Sequence, residues 1–105
     1  MMITPTELKA RLDRGDKLRV IDVREQDEWA IARIPKAELI PLSVFQQRGP
    51  AEISPDEETV LYCHHGMRSG RAQAFLKAQG YDKAINLTGG IDAWATQVDP
   101  TMKRY

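Results

Sequence analysis

Short β-branched runs alternate with helix-patterned segments along this chain, and only a few residues join one to the next. A parallel strand cannot follow its neighbour through a tight turn, because the chain must first return to the starting edge of the sheet. A helix is the compact way back, so this alternation predicts an α/β fold with a parallel sheet and right-handed crossovers. Residues 18–23, 59–62 and 84–87 read as the principal strands, with a shorter one at 39–40.

The helices announce themselves by their ends. Thr4 is an N-cap, Pro5 sits where its missing N–H costs nothing, and Glu7 completes a capping box. Ile3 and Leu8 occupy the two positions of a hydrophobic staple, and Gly15 ends that helix after about Arg14. A second helix over 26–32 would turn Trp29 inward and stop before Pro35. A third over 43–48 would stop at Gly49, leaving residues 49–58 as a surface excursion. The segment 69–79 reads as a helix with Ala72, Phe75, Leu76 and Ala78 as apolar positions. After Gly89 and Gly90, which suit a tight strand-to-helix turn, a last helix bears Ile91, Ala93 and Trp94. Trp29 and Trp94 are both expected in the core.

Composition excludes several classes of function. Fifteen basic and fifteen acidic residues cancel, so no basic field exists for a nucleic-acid partner. No apolar run approaches the roughly 20 residues needed to cross a bilayer, and no polybasic block suggests a membrane surface. The N-terminus lacks the pattern of a signal peptide, so a cytoplasmic location is expected. The 105 residues suit one compact domain over 1–105.

Cys63 is the only cysteine, which excludes an internal disulfide or a cysteine-rich zinc site. It ends the strand at 59–62 and opens the loop Cys63-His64-His65-Gly66-Met67-Arg68-Ser69 ahead of a helix. Ligands of open α/β sheets bind beyond the carboxyl ends of the strands. Loop and helix N–H groups converge there and favour an anion, which shifts a thiol toward thiolate from its ordinary pKa of roughly 8.5. Arg68 is expected as a fixed positive charge at the rim. Cys63 is therefore expected to be a nucleophile that needs no adjacent general base, rather than an inert strand-end cysteine. His64 and His65 are neighbours in a loop with no acid nearby in sequence, so neither a metal nor another cofactor is expected. They read as surface residues that add positive charge below neutral pH. Asp22 and Arg24 close the first strong strand, where the carboxylate could fix backbone or an arginine.

Four segments in order then resemble the single-domain rhodaneses, the sulfurtransferases that hold sulfane sulfur as a cysteine persulfide. They are Ile21-Asp22-Val23-Arg24-Glu25 with Glu28, then Ile34-Pro35, then Cys63-x-x-Gly66-x-Arg68-Ser69, then Thr88-Gly89-Gly90-Ile91-x-x-Trp94. The resemblance implies a three-layer fold with a mostly parallel central sheet and helices on both faces. It makes Cys63 the persulfide-forming residue and the substrate-binding loop His64, His65, Gly66, Met67, Arg68 and Ser69, with N–H groups of the last four around the sulfur. Asp22 and Arg24 match positions whose role is chiefly structural. Residues 94–105 are further similar to rhodanese domains attached to E1-like adenylyltransferases. The chain departs from the family pattern at Ala32, Arg33 and Lys36, where a histidine and two glycines are usual.

The implied chemistry is covalent exchange: thiosulfate or a persulfide donor passes sulfur to Cys63, and an external thiol, cyanide or a sulfur-carrier protein removes it. With no second cysteine, the acceptor must be another molecule. A persulfide carrier for a dedicated partner, with little thiosulfate activity, stays open as an alternative. Phosphatases of the related Cys-loop-Arg type use a loop one residue longer. The four residues between Cys63 and Arg68 make a ring better sized for one sulfur than for a phosphate. A non-catalytic interaction module would lack the cysteine.

Overall fold

The computed structural model describes residues 1–105. Five parallel strands lie in the order β1–β5–β4–β2–β3, with β1 Met2–Ile3, β2 Arg19–Asp22, β3 Glu38–Leu39, β4 Thr59–Tyr62 and β5 Ala84–Leu87. Every residue of β4 and β5 is buried, as expected of strands covered on both faces. Val20 pairs with Val60, which pairs with Ile85, so the three central strands bury one continuous apolar sheet.

The two-residue period of the strands sorts their side chains between two layers of helices. Ile21, Val23, Leu61, Cys63 and Ala84 face Phe45, Ala72 and Leu76, which lie on α3 (Phe45–Glu52) and α4 (Met67–Ala78). Val20, Val60, Tyr62, Ile85 and Leu87 face Leu8, Ile91 and Trp94, from α1 (Pro5–Asp13) and α5 (Gly90–Gln97). Burying one such aliphatic side chain contributes about 1.5–3 kcal/mol, so a register slip would expose the whole set. No helix is long and apolar enough to cross a membrane.

Thr4 caps α1 as expected, with Glu7 N–H donating to its hydroxyl and Thr4 N–H donating to the Glu7 carboxylate. Other expectations need correction. Gly49 does not stop a helix at 48: a 3-10 turn at Leu42–Val44 leads into α3, which runs through Gly49 and Pro50 to Glu52. The Phe45 ring lies over Gly49, where a Cβ would come within 2.8 Å of it, and Ile53 is buried beyond the helix. Packing on the core overrides the breaker residues, so 49–53 is no surface excursion. Trp29 is not core: α2 (Gln26–Ile31) buries none of its residues, and Trp29 stacks under the Arg33 guanidinium, 4.3 Å from the ring centre. Ala78 faces solvent, and α4 begins at Met67, two residues earlier than the pattern indicated.

Candidate active site

Cys63 directly follows β4 in the middle of the sheet, and only 2% of its surface is exposed. Gly66, with φ of 116°, folds the chain back into α4, and its N–H donates to Cys63 Sγ at 3.0 Å. The N–H groups of Ser69 and His65 also face the sulfur. Burial pushes the thiol pKa up. The Ser69 hydroxyl and the three N–H groups outweigh it, so the net shift is downward. Ser69 Oγ lies 3.4 Å from the sulfur but only 2.6 Å from Asn86 Oδ1, and a hydroxyl has one proton to give. The two acceptors compete for that proton, whereas the backbone N–H groups are donors fixed in place.

Two elements the sequence did not implicate hold this loop in shape. Asn86 is the single polar side chain of β5, and its Nδ2 donates to the Gly66 carbonyl at 3.0 Å while its Oδ1 accepts from Ser69. The start of α5 acts on the other side. Ile91 N–H bonds the Cys63 carbonyl at 2.9 Å and Asp92 N–H bonds that of His64 at 3.1 Å. These bonds tie up the loop's carbonyls and leave its N–H groups turned to the sulfur. Gly90 does more than make a turn: a Cβ there would fall on the carbonyls of Cys63 and His64.

Arg68 is not the free charge expected at the rim. Its guanidinium makes a bidentate pair with Glu28, at 2.7 and 2.8 Å. Arg68, working against burial, holds the Glu28 carboxyl down to about 2, with help from Tyr105 and the Glu25 N–H. Met67 points outward, 74% exposed, and of the loop N–H groups only that of Gly66 makes a full hydrogen bond to the sulfur. The Asp22 carboxylate does fix an arginine. It pairs with the fully buried Arg24 at 2.7 Å and accepts from the Arg24 N–H at 2.9 Å.

His64 departs from its expected role as a source of charge. It is sandwiched between the rings of His65 and Tyr105, at 4.0 and 4.1 Å, and burial together with His65 lowers its pKa. Asp92, distant in sequence, lies beside the pair, with 3.6 Å between its Oδ2 and His65 Nε2. His64, His65 and Asp92 are the one group that could hold an ion, their donor atoms lying within 4.8 Å of one another. The stacked rings lie nearly parallel rather than converging on a point, and Asp92 already accepts from Arg104 at 2.9 Å.

Comparison with known proteins decides the family. The model of the Rhodanese-like domain matches residues 4–97. This chain belongs to the rhodanese-like family. It is 47% identical over 104 residues to the probable adenylyltransferase/sulfurtransferase MoeZ of Mycobacterium tuberculosis, a match covering 98% of this chain and 26% of MoeZ. The chain thus spans about a quarter of that relative, and the likeness expected of residues 94–105 holds. It is 39% identical to a sulfurtransferase of Allochromatium vinosum, covering 89% of this chain and 86% of that one. The solved human single-domain sulfurtransferase TSTD1 superimposes with a TM-score of 0.81 at 28% identity, over 91% of this rhodanese-like chain and 96% of the human one.

Proposed function

We propose that this rhodanese-like chain is a sulfurtransferase that takes sulfane sulfur onto Cys63 and passes it to an external acceptor. One observation supports this most: Cys63 Sγ lies 3.0 Å from the Gly66 N–H at the centre of a donor-lined loop that lowers the thiol pKa. With thiosulfate, the Cys63 thiolate attacks the outer sulfur, a Cys–S bond forms, the S–S bond breaks, and sulfite departs with the electron pair. The product Cys63–S–S⁻ keeps its negative charge where the loop N–H groups converge. An external thiolate or cyanide then takes the terminal sulfur and restores the thiolate. The intact mass of the protein after exposure to thiosulfate, or to a small persulfide, tests this. A gain of one sulfur on the wild type but not on Cys63→Ser is expected, and no gain with any donor sinks the proposal.

The occupied fork of Arg68 favours a second reading. With both terminal nitrogens on Glu28, the end-on fork of the guanidinium is taken, and only its Nε edge is left to a sulfonate. A persulfide donor needs no sulfonate clamp, which suits a carrier serving a dedicated protein acceptor. Persulfide formation at least tenfold faster from a neutral persulfide than from thiosulfate would select this reading, with the tenfold set against the about 1.4 kcal/mol it represents.

A further inference from the structure

Beyond α5 the chain turns back across the reactive end of the sheet. Thr101 bonds the Asp99 carboxylate through its N–H and its hydroxyl, Met102 packs on the Trp94 side of the core, and Arg104 is held by Asp92. These contacts deliver Tyr105 to the loop. Its ring stacks on His64 at 4.1 Å and 11°. Its hydroxyl accepts from Arg24 Nη1 at 2.9 Å and donates to Glu28 Oε2 at 2.6 Å. Arg24 is the partner of Asp22, and Glu28 is the partner of Arg68. A single hydroxyl therefore joins a fully buried ion pair at the end of β2 to the ion pair at the reactive loop.

The bridge has an electrical consequence. Arg24 polarises the hydroxyl, which makes it a stronger donor to Glu28. Each donor that shares the Glu28 carboxylate reduces how far that carboxylate quenches Arg68. We propose that Tyr105 is a positioning residue: by bridging Asp22–Arg24 and Glu28–Arg68, its hydroxyl keeps Arg68 positive toward the sulfur and favours anionic donors, while its ring closes the His64 side of the approach. This rests on the sulfur-transfer reading of the same site, and its test includes a readout that does not.

The full chain and its Tyr105→Phe variant are alkylated at Cys63 with iodoacetate and with iodoacetamide, which differ in charge and little in size. Phenylalanine keeps the stacked ring and loses the bridge. The iodoacetate-to-iodoacetamide rate ratio is expected to fall roughly twofold, the low end of the net worth of one lost hydrogen bond. The KM for thiosulfate is expected to rise by a similar factor with kcat retained, at an unchanged thermal midpoint. Tyr105 is 43% exposed, so neither variant threatens the core. Tyr105→Ala should in addition speed labelling by the bulkier N-ethylmaleimide, which Tyr105→Phe should not. An unchanged alkylation ratio in Tyr105→Phe overturns the bridge, and equal maleimide rates for Ala and wild type overturn the role of the ring. If no donor loads sulfur on the wild type, the sulfur-transfer reading falls, while the alkylation ratio still decides the bridge.

Discussion

At Cys63 the decisive quantity is the stability of an anion in a site with almost no exposed surface. Burial alone would keep the thiol neutral, and the Ser69 hydroxyl together with the convergent N–H groups reverses the sign. Cys63→Ser preserves shape but not acidity. Sulfur transfer is expected below about 1% of wild type because a hydroxyl supplies almost no anion near neutral pH. A thiocyanate assay checks the rate and circular dichroism checks the fold. Arg68 calls for a smaller effect than its position in the sequence suggests. A free clamp on a sulfonate would contribute about 2–3 kcal/mol, whereas a cation paired to Glu28 acts only through its residual field. Arg68→Ala is expected to lower kcat/KM for thiosulfate by about 1 kcal/mol more than for a neutral persulfide, measured side by side. A differential of about 3 kcal/mol would mean that the guanidinium leaves Glu28 to grip the donor.

Among the elements, the reactive loop is held from both sides, by Asn86 on β5 and by the first N–H groups of α5. Gly90 permits the second contact, with φ of 61° and the loop carbonyls against it. Gly90→Ala is expected to destabilise the protein by about 1–3 kcal/mol through backbone strain and to reduce sulfur transfer by pushing the loop off α5. Urea unfolding and the same thiocyanate assay measure the two effects. Normal activity with normal stability would show that α5 does not shape the loop. The sequence announced α1 well, because a capping box and a staple are local interactions that form wherever the helix does. It misled on α3, where the ring of Phe45 against Gly49 and the burial of Ile53 outweigh a glycine and a proline.

Across the whole molecule, a chain of charges links the end of β2 to the start of α4 through Asp22, Arg24, Tyr105, Glu28 and Arg68. Glu28 makes part of this chain sensitive to acid. Its carboxyl titrates at about 2 in the folded protein against an ordinary 4.5, so folding favours its ionised form. The stability this contributes is fully present above about pH 4.5 and is lost as the pH falls through 2. Glu28→Gln cannot titrate. Its stability deficit relative to wild type, measured by urea unfolding, is therefore expected to shrink steadily from pH 4.5 toward pH 2. A deficit that stays constant over this window would mean that the Glu28–Arg68 pair does not stabilise the fold.

The sequence by itself determined the parallel α/β architecture, the capped first helix, and the strand–loop–helix that bears Cys63. Each depends on neighbours in the chain: the strand period, the caps, and N–H groups within a few residues of the sulfur. Only the tertiary structure decided which distant groups meet there. Glu28 takes up Arg68 from 40 positions away, Asn86 pins the loop from the next strand, and Tyr105 closes over His64 from beyond the last helix. Composition marks such residues only as polar or aromatic. What turns them into parts of one site is the strand order β5–β4–β2, which brings the ends of three separate strands together around one sulfur.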